Sequence, residues 1–192
     1  MGHDEIPVII LCGGKGTRMG QRTVPKPLVE VGDRPILWHV MKIYAAQGFK
    51  RFILALGYGG PQIKRYFLEY DWQDRDFTLA LGDGEPKFHT PNDVVGWTIT
   101  FAETGLEAMK GARVRKAAKY AESPRFFVTY DDGVADIDLH ALLAYHEQHG
   151  LTATVTGVRA FSRFGVIEMD TEARVTGFRE KPLVEALING GF

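Results

Sequence analysis

The residues best suited to chemistry sit near the start of the chain. Leu11-Cys12-Gly13-Gly14-Lys15-Gly16-Thr17-Arg18 follows the apolar run Val8-Ile9-Ile10, and Pro25-Lys26-Pro27 comes shortly after. Glycines let backbone N–H groups approach a phosphate closely and reach conformations closed to other residues. Arg18 offers a planar fork for phosphate oxygens, and Lys26 offers a mobile point charge. This combination suits a polyphosphate. An ordinary tight turn after a strand accounts for the glycines, but not for Arg18 and Pro25-Lys26-Pro27. The P-loop pattern G-x-x-x-x-G-K-[ST] is not met, and Gly14, Gly16 and Gly20 are spaced one residue too wide for the dinucleotide pattern G-x-G-x-x-G.

Three further groups follow apolar runs. Tyr130-Asp131-Asp132-Gly133-Val134-Ala135-Asp136 comes directly after the run over 126–129. Carboxylates there suit Mg²⁺, a hard ion usually held by one or two carboxylates plus substrate phosphates; a tight turn with solvated acids is the alternative. Phe178-Arg179-Glu180-Lys181-Pro182 and Asn189-Gly190-Gly191 complete the set. All four groups fall at the ends of predicted strands, where open parallel sheets place their ligands.

The elements that must position these groups alternate between short β-type runs and amphipathic helices, the pattern of a parallel sheet with crossover helices. Strands are predicted over 8–11, 52–56, 98–102, 126–129, 152–158, 166–169 and 175–178. A helix over 36–47 places Ile36, Leu37, Val40, Met41 and Tyr44 on one face, with Pro35 at its start and Gly48 past its end. A second helix follows from Ile63, Tyr66, Phe67 and Tyr70, and a third spans 114–121. Asp138 is the expected N-cap of a helix carrying Leu139, Leu142 and Leu143, closed by Gly150. Residues 71–95 are less regular and read as an insertion: a binding lid, an oligomer arm or a surface loop.

At 192 residues the chain suits one well-buried domain, and its net charge of −1 gives no electrostatic footprint for nucleic acid or membrane. No run is long enough for a transmembrane helix. The single cysteine, Cys12, excludes an internal disulfide, reads as a small buried residue and fits a reducing, cytoplasmic compartment. His140, His146 and His149 share a predicted helix at offsets that do not suggest one metal-binding face; a solvated helix surface is expected.

Taken in order, G-G-x-G-T-R, P-K-P, the aspartate after the central strand, E-K-P and N-G-G resemble the sugar-1-phosphate nucleotidyltransferases over nearly the whole chain. Residues 35–42, Gly57-Tyr58, the long segment before Thr104-Gly105 and the run over 132–136 are most similar to the family's cytidylyltransferase branch. The resemblance implies a doubly wound, mostly parallel, Rossmann-like nucleotide-binding sheet with helices on both faces, forming a single domain over 1–192. It also implies CTP and glucose 1-phosphate as substrates, Mg²⁺ as cofactor and a homo-oligomer assembled through 71–95. Leu11, Gly13, Gly14, Gly16 and Thr17 would then cradle the nucleotide. Arg18 would hold the β- and γ-phosphates and Lys26 would neutralise charge near the α-phosphate. Arg113 is a further triphosphate candidate, against the alternative of an exposed helix cation. Asp132 would bind Mg²⁺, Lys181 the sugar phosphate, and Glu180 and Asn189 sugar hydroxyls.

Two departures from the family pattern stand out. Asp131 replaces a glycine, adding a carboxylate expected to weaken nucleotide binding unless it turns to the other face. The family's domain continues past Asn189-Gly190-Gly191-Phe192 to a second metal-binding aspartate. An impaired nucleotide- or nucleotide-sugar-binding module is therefore the alternative to an enzyme.

Overall fold

Strand β1, Val8–Leu11, is apolar throughout, and Val8, Ile9 and Ile10 are fully buried. A strand covered on both faces reads as such a continuous run, because no side chain reaches water. The computed structural model describes residues 6–14, 24–73, 75–82 and 84–191. These divide into two compact units, Met1–Leu143 and Ala144–Phe192.

In the first unit, β1 is flanked on one side by β4 (Arg51–Leu56), itself flanked by β7 (Thr98–Glu103), and on the other side by β8 (Phe127–Tyr130). All pairings are parallel, with Ile9 opposite Ile53 and Val128, and Leu11 opposite Tyr130. Short hairpin partners β2 (Glu30–Val31) and β3 (Arg34–Pro35) lead into helix α1 (Ile36–Ala46).

Strand alternation splits the core into two layers. On one face Ile9, Ile53, Ala55 and Ala102 meet Ala117 and Ala121, with Leu11 and Val128 packed against them. On the other face Phe127 meets Tyr44 and Phe49, with ring centroids 5.7 and 4.9 Å apart. Helix α1 therefore covers one face and α4 (Lys110–Ala118) the other, which is the doubly wound arrangement.

Helix α2 (Gly60–Leu68) stops at Glu69, so Tyr70 falls on the short α3 (Tyr70–Gln73) rather than on the same helix. Helix α4 starts at Lys110, a turn before the sequence expectation. Its first turn is secured by Arg113, whose N–H bonds Met109 O at 2.9 Å and whose side chain is buried. Helix α5 (Leu139–His149) is capped as expected: Asp138 Oδ1 accepts from Ala141 N at 2.8 Å, and Gly150 adopts φ +65°.

Residues 71–95 hold a small hairpin, β5 (Phe77–Thr78) with β6 (Lys87–Phe88). Arg75 lies 4.1 Å over the Phe88 ring and pairs with Asp71 at 2.6 Å. The segment is moored to the rest of the unit through Asp93. Tyr70 donates to Asp93 Oδ1 at 2.7 Å while accepting from Trp38 Nε1 at 2.8 Å, and Lys42 reaches Asp93 O at 3.0 Å.

The second unit pairs β9 (Gly157–Phe161) with β12 (Leu183–Asn189) and β10 (Val166–Met169) with β11 (Val175–Arg179), both antiparallel. The expected strand over 152–158 is displaced toward the C-terminus. Thr154 is instead held at the end of α5, its hydroxyl 2.8 Å from His146 Nδ1 and 2.6 Å from His149 Nε2. Those two histidines are thus half-buried neighbours on one helix face, as i, i+3 spacing allows, and not part of a solvated surface.

Candidate functional site

The register of β1 on β8 brings two of the sequence groups together. Leu11 lies opposite Tyr130, so Gly13-Gly14 and Asp131-Asp132 continue from the same edge of the sheet. Lys26 reaches that edge from a 3₁₀ turn, Lys26–Leu28, set between Pro25 and Pro27, both buried. The prolines fix the turn while the lysine stem projects from it. Its Nζ donates to Asp132 Oδ2, 106 residues further along the chain, and both side chains are about one-third exposed. Gly16, Thr17 and Arg18 lie outside the described residues.

Asp131 is 9% exposed and follows the alternation of Phe127 and Thr129 into the face covered by α1. Burial above all, with the neighbouring Asp132 charge, pushes its carboxyl up to about 7, while Lys26 acts in the opposite direction. Cys12 is buried on the same face, its thiol pushed up by burial and by Asp131.

Arg113 is 6% exposed and is not a surface cation. One terminal nitrogen donates to Leu56 O at 3.2 Å and Thr104 Oγ1 at 2.6 Å; the other donates to Gly13 O at 2.9 Å and Leu106 O at 3.0 Å. Its terminal N–H groups are thereby committed to the protein. Gly13 and Gly57 make room for it, since a Cβ at either position would come within 2.1 or 2.6 Å of Arg113 Nη1. Gly14 differs: among the described residues a Cβ there would meet nothing within 4 Å. Sequence reasoning assigned both glycines to ligand approach. It missed Thr104, which is fully buried and donates to Leu56 O at 2.5 Å, because an isolated Thr-Gly carries no chemical pattern.

The remaining candidates lie in the second unit. Glu180 and Lys181 follow β11, are well exposed, and approach each other at 3.9 Å. Lys181 adopts φ +41°, a left-handed conformation that is strained for a residue with a Cβ. Asn189 ends β12 opposite Gly157, and its Oδ1 accepts from Gly191 N at 2.9 Å.

Among the described residues no group of three or more His, Cys, Asp or Glu side chains could hold a metal ion. Mg²⁺ does not need one, because substrate phosphates complete its shell. Asp132 fits that use: its carboxylate is part-exposed and shares the strand-end edge with Gly13-Gly14.

A parallel sheet with helices on both faces, carrying a glycine turn, a lysine and an aspartate at its strand ends, defines a doubly wound α/β protein. The chain belongs to the Nucleotidyl transferase family, which it matches over residues 7–191. It is 45% identical over 186 residues to the probable glucose-1-phosphate cytidylyltransferase of Bacillus subtilis (strain 168), spanning 96% of this chain and 72% of that protein. Identity to the glucose-1-phosphate cytidylyltransferase of Salmonella typhi is 41% over 188 residues, with the same coverage. The crystal structure of HddC from Yersinia pseudotuberculosis shares the fold, with a TM-score of 0.62 at 24% identity over 97% of this chain and 74% of that one. HddC complexed with GMP-PN superposes with a TM-score of 0.61 at 23% identity. No helix among the described residues is long and apolar enough to cross a membrane.

Proposed function

We propose that the protein joins CTP and glucose 1-phosphate into CDP-glucose, releasing pyrophosphate. The observation that carries the reading is the meeting of Lys26 and Asp132 at the strand edge that also bears Gly13-Gly14, a cation and a carboxylate where a parallel sheet places its ligand. The 41–45% identity to glucose-1-phosphate cytidylyltransferases supports the choice of substrates.

A phosphate oxygen of glucose 1-phosphate attacks the α-phosphorus of CTP in line. The new P–O bond forms as the bond to the β-phosphate oxygen breaks, and pyrophosphate departs with that electron pair. The reaction needs no covalent enzyme intermediate; it needs two anions held together, so catalysis rests on positioning and charge neutralisation.

Leu11, Gly13, Gly14, Gly16 and Thr17 form the nucleotide cradle, Arg18 holds the β- and γ-phosphates, and Lys26 turns from Asp132 to the α-phosphate. The Lys26–Asp132 pair keeps both charges compensated before ligand arrives. Asp132 holds Mg²⁺, which supplies further neutralisation of phosphate charge when bound. Lys181 meets the sugar phosphate, and Glu180 and Asn189 hydrogen-bond sugar hydroxyls. In the same reading residues 1–192 belong to one nucleotidyltransferase domain, and copies assemble through 71–95 in the cytoplasm.

The test is pyrophosphate release with CTP, glucose 1-phosphate and Mg²⁺, with the sugar nucleotide identified by mass. Turnover dependent on both substrates is expected. Binding of CTP without any turnover would replace the enzyme by a binding module.

A further inference from the structure

We propose that Lys110 is a phosphate-binding cation of the nucleotide site, an inference that rests on the nucleotidyltransferase reading and adds a residue to it. Helix α4 follows β7, so it begins at the strand ends that bear the site and runs back along the sheet to Ala117. Arg113 marks the level of the strand ends, since it bonds Gly13 O and Leu56 O. Lys110 precedes it by three residues on the same side of the helix and so projects past those ends.

There its Nζ donates to Tyr130 Oη at 3.3 Å and lies 4.7 Å from the ring centroid. Tyr130 is the β8 residue in register with Leu11 and adjoins Asp131-Asp132. The ammonium is thereby held at the sheet edge from which Gly13-Gly14 and Asp131-Asp132 continue.

Nothing in the fold itself calls for a charge at this point. A cation in the first turn of a helix opposes the helix dipole. Among the described residues no carboxylate pairs with Lys110, which is exposed. An aromatic ring and a hydroxyl orient the ammonium without neutralising it, and an exposed cation–π contact is weak enough to yield to a phosphate. Arg113 already commits its terminal N–H groups to Gly13, Leu56, Thr104 and Leu106.

Calorimetric binding of CTP and CMP to the wild-type chain, Lys110→Met and Lys110→Arg, at low and high salt, tests the proposal. The expected result is a loss of CTP affinity of about tenfold in Lys110→Met, a shallower salt dependence, little change for CMP and recovery in Lys110→Arg. Equal CTP affinity in wild type and Lys110→Met would overturn it. So would parallel losses for CTP and CMP, which would mark a base, ribose or purely structural contact. Failure of the wild-type chain to bind any nucleoside triphosphate would overturn the nucleotide reading itself, and this assignment with it.

Discussion

Arg113 ties the ends of three strands together with one side chain, and its removal should be felt twice. Arg113→Met leaves the carbonyls of Gly13, Leu56 and Leu106 without this donor in a buried setting. We expect a loss of roughly 2–4 kcal/mol of stability, and weaker CTP binding as the Gly13 backbone drifts. Arg113→Lys should recover only part of the stability, since an ammonium cannot fork to four acceptors; thermal melts with CTP calorimetry would check both effects. Asp131 makes a different prediction, read in metal-free buffer. Its folded carboxyl titrates at about 7, whereas an unfolded one releases its proton near pH ~4. Between those values the folded chain binds the extra proton, so stability falls as pH rises through the window and stays low above it. Asp131→Asn cannot ionise. Its stability relative to the wild type should therefore rise by about 4 kcal/mol between about pH 4 and about pH 7, read as a widening difference in melting temperature, and then level off. A margin independent of pH would mean that Asp131 is not a buried acid.

At the scale of elements, the sheet was readable because β1 is apolar throughout, β4 is apolar after Arg51, and the helices are apolar on one face. Val8–Leu11 stands as predicted, and Arg51–Leu56, Thr98–Glu103 and Ile36–Ala46 differ from expectation by a residue at an end. Lys26 and Asp132 were legible for a related reason: each is a charged residue placed directly after or between rigid, apolar signals. The role of Arg113 was not legible. Its acceptors are mainly main-chain carbonyls, which every residue carries, and only tertiary convergence of three loops singles them out. The displaced β9 has a similar origin, because nothing in the local pattern shows Thr154 being bonded by two histidines. The insertion over 71–95 looked irregular because its order comes from long-range tethers. Tyr70 is the central one, joining Trp38 to Asp93, and burial pushes its phenol well above the usual range. Tyr70→Phe deletes that hydroxyl while keeping the ring. We expect a loss of about 1–2 kcal/mol and faster amide exchange across 71–95, with the exchange of β1 and β4 little changed at native pH. Uniform acceleration across the sheet would show that the tether supports the whole unit.

At the scale of the molecule, burial and candidate chemistry are divided unevenly. Among the described residues every buried hydrophobic side chain lies between Ile6 and Leu143, whereas Phe161, Phe164, Met169 and Phe178 of the second unit are each more than 60% exposed. Two-stranded antiparallel pairs without buried side chains have little stability of their own, so their exchange should be fast beside that of the buried parallel strands. The division also separates the proposed roles: Lys26 and Asp132 belong to the nucleotide side, and Glu180, Lys181 and Asn189 to the sugar side. Lys181 is the sharpest test of that separation. Its left-handed backbone, at φ +41°, is a strained choice for a lysine. In the proposed reading, Lys181→Ala removes a charge from the sugar phosphate and none from CTP. The requirement for glucose 1-phosphate should rise by about tenfold or more, while CTP binding measured by calorimetry without the sugar phosphate stays within about threefold. Lys181→Arg should restore part of the loss, since it returns the charge but not the shape of an ammonium. Equal penalties for the two substrates would remove Lys181 from the sugar side and leave the second unit without its assigned cation.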